Sequence, residues 1–211
     1  IEVSRILITS GPTRQYIDPV RYLTNASSGQ MGAALAQAAL DEGHEVLLVS
    51  GPVLVDYPAE AVVTKVETTQ QMLDACLAEY PHCDGVICAA APCDYQPVEV
   101  RQEKMAKTGE TLSLELTETP DIAAALGNTK QGKQWLVAFA LETSHHNERA
   151  AVKLKKKNGD MIIVNGPAAM DAANTSVEVL AANGQSYGCY DGPKSSVAKD
   201  LLRIIGIKLM S

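Results

Sequence analysis

The chain opens on a short apolar run, Ile6-Leu7-Ile8, and the pattern from there to Gly43 organises the rest. An uninterrupted apolar run bounded by polar residues predicts a buried strand over Ile6–Ser10. A long polar loop with Gly11, Pro12 and Pro19 follows. Ser27-Ser28-Gly29-Gln30-Met31-Gly32 then opens a run of Ala, Leu and Gln at helical spacing, and a helix is expected over Ser28–Leu40. Ser27 or Ser28 is its expected cap, Gly32 permits close approach, and Gly43 ends it. Further strands are expected at Glu45–Val49, Ala61–Val66 and Gly85–Ala90. A helix over Thr69–Glu79 places Met72, Leu73, Cys76 and Leu77 on one face. The rhythm is that of a mostly parallel sheet with covering helices.

Residues 91–111 break the rhythm. They carry Pro92, Pro97 and the polar run Arg101-Gln102-Glu103-Lys104-Met105-Ala106-Lys107. So polar a stretch is expected to leave the core as an arm or lid. Leu112–Leu116 alternates like a half-exposed strand. Thr119-Pro120-Asp121 reads as a helix start, with Thr as cap and Pro first, and Gly127 closes that helix. Trp135–Ala140 and Met161–Val164 are expected buried strands. Ser144–Asn158 is an expected helix whose basic end, Lys153 and Lys155-Lys156-Lys157, reads as solvated. Asn183-Gly184 between Val177–Leu180 and Gln185–Cys189 signals a hairpin. Lys194–Ile205 is the last helix. The expected architecture is α/β and Rossmann-like: one domain over residues 1–211, with a mostly parallel doubly wound sheet, covering helices and an antiparallel arm or hairpin. The arm is placed near residues 92–118.

Composition narrows the function classes. With 46% hydrophobic residues in 211, the chain suffices for a sizeable core. A formal net charge of -7 argues against a broad nucleic-acid surface. Five cysteines at irregular spacing suit neither a disulfide framework nor a zinc site, and imply a reduced, cytoplasmic chain. No run of 18 apolar residues is present, so no membrane partner is expected.

Candidate chemistry gathers at the C-terminal ends of predicted strands, where open α/β sheets bind ligands. Around Ser27, Ser28 and Gly29, a helix start offers N–H groups to a phosphate, or is a plain cap. Ala89-Ala90-Ala91-Pro92-Cys93-Asp94-Tyr95 leaves room for a flat base. Asp94 is able to bind ribose hydroxyls, to help hold magnesium, or to cap the turn. Lys104 and Lys107 on an arm are able to neutralise phosphate charge, or are solvated lysines. Phe139 flanks a base or packs in the core; Glu142 and Asn165 are further polar candidates, Asn165 at a strand end. His145 and His146 read as exposed polar residues. Nothing nearby in sequence would activate Cys93 as a nucleophile. Neither GxxxxGK[ST] nor GxGxxG occurs, which leaves a P-loop kinase or a nicotinamide-dependent reductase poorly supported.

The stretches Gly11-Pro12-Thr13-Arg14, Ile17-Asp18-Pro19-Val20-Arg21, Asn25-Ala26-Ser27-Ser28-Gly29-Gln30-Met31-Gly32 and Ala89–Tyr95 occur together and in order. So do Thr119-Pro120-Asp121-Ile122, Phe139-Ala140-Leu141-Glu142-Thr143, Lys153-Leu154 and Asp160–Asn165. In these the chain resembles the phosphopantothenoylcysteine synthetase family, the synthetase half of a bifunctional coenzyme A protein. The resemblance implies a ligase that activates the 4'-phosphopantothenate carboxylate with CTP and Mg2+, then couples it to the cysteine amine. Asn25 and Lys104 are the implied catalytic residues. Ser27, Ser28, Gly29, Ala90, Asp94, Lys104, Lys107 and Phe139 are the implied nucleotide contacts. Asn25, Arg21 and Asn165 are the implied substrate contacts, and Asp94 with the nucleotide phosphates the implied magnesium partners. A homodimer, fused to or associated with a flavin-dependent decarboxylase, is also implied. Three departures stand out: Ala26 replaces the family histidine, Lys-x-Lys-Lys becomes Lys104-Met105-Ala106-Lys107, and Val-Ala-Asp-Tyr becomes Pro92-Cys93-Asp94-Tyr95. The alternatives are a related ligase using ATP or another acid, and a non-catalytic nucleotide-binding module.

Overall fold

In the computed structural model, residues 2–141, 152–165 and 174–210 are described. Eight strands form the central sheet: β1 (Arg5–Ser10), β4 (Glu45–Ser50), β5 (Val62–Lys65), β6 (Gly85–Cys88), β9 (Trp135–Leu141), β10 (Met161–Asn165), β11 (Asn174–Ala181) and β12 (Ser186–Pro193). Their order is β12-β11-β10-β9-β6-β1-β4-β5. All pairs are parallel except β10–β11 and β11–β12. The fold is thus Rossmann-like α/β, with the antiparallel hairpin at one edge. The expected helix over 144–158 falls mostly outside the described residues; its described part, α4, covers 152–156.

Helices cover both faces, which is why the strands read as unbroken apolar runs rather than alternating ones. Successive side chains of β1 point oppositely. Ile6 and Ile8 pack with Leu35 of α1 (Gln30–Asp41) and Leu201 of α5 (Lys194–Leu209). Leu7 faces the other side, among Met72 and Cys76 of α2 (Thr69–Glu79), Leu126 of α3 (Ile122–Thr129) and Leu154 of α4. Helix α2 has the bounds that periodicity indicates, and a Thr68/Gln71 capping box closes its start.

Several boundaries differ from expectation for identifiable reasons. The long loop after β1 contains a hairpin, β2 (Arg14–Asp18) and β3 (Arg21–Thr24). Its turn is held by Asp18, whose Oδ1 accepts the amides of Val20 and Arg21, both at 2.9 Å. The cap of α1 is neither Ser27 nor Ser28 but Gly29, with φ 77° and no side-chain cap. A side chain is excluded there twice: by the left-handed backbone, and by Val53 Cγ1, 2.8 Å from where a Cβ would stand. In α3 the cap is Asp121 rather than Thr119, its Oδ1 taking the Ala124 amide at 3.0 Å. Gly127 lies inside this helix, pressed against the Lys157 carbonyl, rather than ending it. The alternating stretch 112–116 yields only Leu116 to the strand β8 (Leu116–Glu118), paired with β7 (Tyr95–Pro97). Pairing stops because β7 stops: the last rung is Val98 N to Glu115 O, at 3.0 Å.

Candidate active site

The chain runs outward from β1 through β4 to β5, then returns to β6 on the other side of β1. The crevice beyond the carboxyl ends of β1 and β6 is therefore the switch point at which such sheets take ligands. A cleft of about 760 Å³ lies there. Its walls are Asn25–Gly32, Cys88–Pro92 with Asp94 and Tyr95, Glu118–Ala123, and Ala138–Leu141, with Lys157, Asn165 and Lys194.

One wall is the start of α1. No side chain caps this helix, so the N–H groups of its first turn are left for another acceptor; the residues of that turn line the cleft, and the helix dipole adds positive potential. Gly32 lets α1 sit directly on β1: a Cβ there would lie 2.1 Å from Ser10 Oγ. Ser10 Oγ in turn donates to the Gly29 carbonyl at 3.2 Å, fixing the turn from below.

The facing wall is the loop after β6. Asn25 joins the two walls, its Nδ2 donating to Pro92 O at 2.9 Å and Ala91 O at 3.3 Å. With both amide hydrogens engaged, the carboxamide oxygen is the acceptor left for a ligand. Asp94 is exposed at the rim. Phe139 combines the two roles open to it: it packs on the core and reaches the cleft. Asn165 ends β10 with a buried Oδ1 that accepts no hydrogen bond among the described residues. Such a group is costly unless a ligand supplies the donor.

Among the sequence candidates, Asn25, Ser27, Ser28, Gly29, Ala90, Asp94, Phe139 and Asn165 converge on the cleft. Arg21, Lys104 and Lys107 do not line it. Arg21 bonds Asp18 and donates through both terminal nitrogens to Met105 O at 3.2 Å. Asp18, fully buried, also accepts the Met105 amide at 3.2 Å, so the arm is fastened one residue after the exposed Lys104. Glu142 lies outside the described residues.

Sequence reasoning missed Lys157, read as part of a solvated helix end. Its Nζ reaches both Asp121 oxygens, at 2.7 and 2.6 Å, on the cleft wall. Burial pushes the Asp121 carboxyl up, but the Lys157 ammonium and the amides at the start of α3 outweigh it and hold it below its ordinary value. Burial raises the Cys88 thiol, also on the wall, to about 12, so it stays protonated at neutral pH and is no nucleophile. All five cysteines are free. No group of three metal-ligating side chains occurs among the described residues. No helix among them is long and apolar enough to cross a membrane.

An uncapped helix start facing a small-residue loop across a sheet's switch point defines a nucleotide-type α/β site. The family model of the DNA/pantothenate metabolism flavoprotein C-terminal domain matches residues 1–208, and the chain belongs to that family. The Coenzyme A biosynthesis bifunctional protein CoaBC of Bacillus subtilis is 44% identical over 166 residues, 78% of this chain and 41% of that protein. CoaBC of Vibrio vulnificus is 42% identical over 162 residues, 76% of this chain and 40% of that protein. The chain thus spans about 40% of the length of these relatives. The crystal structure of a CoaBC C-terminal domain is 38% identical, covers 100% of this chain and 99% of that one, and superposes with a TM-score of 0.84.

Proposed function

We propose that residues 1–211 form a single ligase domain that joins 4'-phosphopantothenate to cysteine, using CTP to activate the acid. The observation that carries this reading is the bridge made by Asn25. It fixes one polar acceptor between a phosphate-binding helix start and a loop open enough for a base. The family, and the coenzyme A biosynthesis named in its relatives, supply the substrate class.

A carboxylate is a poor electrophile until its oxygen becomes part of a good leaving group. In the first step the carboxylate oxygen attacks the α-phosphorus, a P–O bond forms, the α–β anhydride breaks, and pyrophosphate leaves. Ser27, Ser28, Gly29 and the first-turn amides of α1 meet the phosphate charge. Ala90 and Phe139 bound the space for the base, and Asp94 meets the ribose. In the second step the cysteine nitrogen attacks the acyl carbon, a C–N bond forms, and the nucleoside monophosphate leaves with the C–O electron pair. Asn25 Oδ1 accepts an N–H of the incoming amine and aims its lone pair. Asn165 serves the acid substrate alongside it. The donor set suits a magnesium ion carried by the triphosphate, with Asp94 nearby, rather than one held in a protein cage. When bound, it supplies positive charge to the phosphate oxygens.

Lys104 and Lys107 lie on the arm, away from their own chain's cleft. In our reading the chain pairs with a second copy, and one arm delivers Lys104 to the partner cleft, with Arg21 holding that arm. The free thiols suit a reducing compartment, the cytoplasm, and the reading includes fusion to or association with a flavin-dependent decarboxylase. The test is pyrophosphate release with CTP or ATP, magnesium and 4'-phosphopantothenate, with and without cysteine. The expected result is release with CTP and the acid, and amide formation only when cysteine is added. Nucleotide binding without turnover for any acid would overturn the reading in favour of a binding module.

A further inference from the structure

Beneath the cleft, the loop that holds Asn25 rests on a closed ring of hydrogen bonds. The Cys93 amide donates to Thr13 Oγ1 at 2.8 Å. Thr69 Oγ1 lies 2.7 Å from Thr13 Oγ1 and donates to the Cys93 carbonyl at 3.2 Å. Gln15 Nε2 donates to Thr69 Oγ1 at 2.7 Å. Each hydroxyl has one hydrogen: with that of Thr69 on Cys93 O, the hydrogen between the hydroxyls comes from Thr13, and the ring runs Cys93 N–H to Thr13, Thr13 to Thr69, and Thr69 back to Cys93 O. Thr13 and Thr69 are fully buried, and Gln15 is 4% exposed. No water competes, and each bond strengthens the next in a low dielectric.

We propose that Thr13 and Thr69 are positioning residues for Asn25. Their role is set by geometry and rests on the ligase reading given above. Asn25 holds the carbonyls of residues 91 and 92, and the ring holds both backbone groups of residue 93. Thr119 adds two fastenings, its Oγ1 to Cys93 O at 2.6 Å and its amide to Asp94 O at 2.9 Å. The carboxamide oxygen of Asn25 thus stands where the loop carbonyls put its nitrogen, and the ring puts the loop there. Removing the Thr13 hydroxyl leaves the buried Cys93 amide without its acceptor, and removing the Thr69 hydroxyl leaves Thr13 and Gln15 without theirs, so the loop shifts to find other partners. The shift turns Asn25 and misaligns the amine.

The test uses Thr69→Val and Thr13→Val, which keep the shape of the side chain, with Thr69→Ser restoring the hydroxyl. Acyl nucleotide and amide are followed in single turnovers, with Asn25→Ala alongside. A misplacement near 1 Å costs on the order of 100-fold, so both valine variants are expected to slow the second step roughly 10- to 100-fold. Pyrophosphate release at saturating nucleotide without cysteine should fall less than the second step, so that acyl nucleotide accumulates, and Thr69→Ser should restore the native partition. Valine variants that convert the intermediate at the native rate, while Asn25→Ala accumulates it, overturn the inference and leave the ligase reading standing. If Asn25→Ala accumulates nothing, that reading of Asn25 fails and the inference falls with it. Should the valine variants not fold, hydrogen exchange of the native protein decides: the ring requires a strongly protected Cys93 amide, and fast exchange there refutes it.

Discussion

Asp18 accepts the backbone amide of Met105, 87 residues further along the chain, at 3.2 Å. The same carboxylate takes the Val20 and Arg21 amides and the Arg21 guanidinium, and a second fastening runs from Arg101 N to Ile17 O at 3.0 Å. One buried acid therefore ties the polar arm to the β2–β3 hairpin. Asp18→Asn keeps the size but removes the charge that gathers these donors. Limited trypsin digestion should then cut faster at Arg101, Lys104 and Lys107 than in the native chain, with the rest equally resistant. Unchanged cutting would show that the arm is held elsewhere.

If one chain's arm completes the other's cleft, two damaged chains should repair each other. Lys104→Gln is expected to impair pyrophosphate release, and Asn25→Ala to stop after the acyl nucleotide. When subunits of the two variants exchange at random, about a quarter of the native sites should be rebuilt. Ligase activity measured after mixing should approach that share. No recovery after demonstrated exchange would place Lys104 in its own chain's site, or out of the reaction.

Two glycines in helices should respond oppositely to the same substitution. Gly32→Ala drives a methyl group into Ser10, 2.1 Å from its Oγ, and overpacking of this kind costs about 1–3 kcal/mol. Because the displaced element is the start of α1, the nucleotide KM should rise as the melting temperature falls. Gly206→Ala in α5 meets nothing within 4 Å, and should stabilise by about 0.5–1 kcal/mol with unchanged kinetics. Thermal melts and steady-state assays of both variants check the contrast.

Acid should dissolve the Asp121–Lys157 pair. Burial opposes ionisation of Asp121, but the lysine and the helix amides prevail, so its folded pKa lies below its ordinary value. The stability it adds is complete above the unfolded carboxylate value, about 4, and is lost as pH falls through the folded one. Urea unfolding between pH 6 and pH 3 should show a smaller acid loss for Asp121→Asn than for the native chain. Equal slopes would remove the pair from the acid response.

Buried strands and α2 were legible because covered faces and a capping box write themselves locally, in runs and spacing. The β2–β3 hairpin was not, although Asp18-Pro19 marks its turn. Gln15, Asp18 and Arg21 break up its apolar positions because they serve a buried network and a clamp rather than a greasy face. The cap at Gly29 was hidden because it answers to Val53 and Ser10, far off in the chain. Most of the candidate site was legible as strand ends and small residues. Lys157 was not, since a lysine at a helix end reads as solvated until its acid partner arrives from another element. Lys104 shows the converse: a residue singled out by its motif stands apart from the cleft of its own chain.

The fastenings of residues 91–94 to the rest of the chain use main-chain atoms: the carbonyls of 91, 92, 93 and 94, and the amides of 91 and 93; the side-chain bond from Cys93 Sγ to Tyr95 O, at 3.3 Å, is local. The amide of position 92 is not among them. A loop held in this manner constrains its lettering first through its N–H groups, which must survive where they are used. Proline is free to enter at 92, where this chain has it, and is barred at 91 and 93. Pro92 is then a spelling change that costs the loop none of the bonds that seat it.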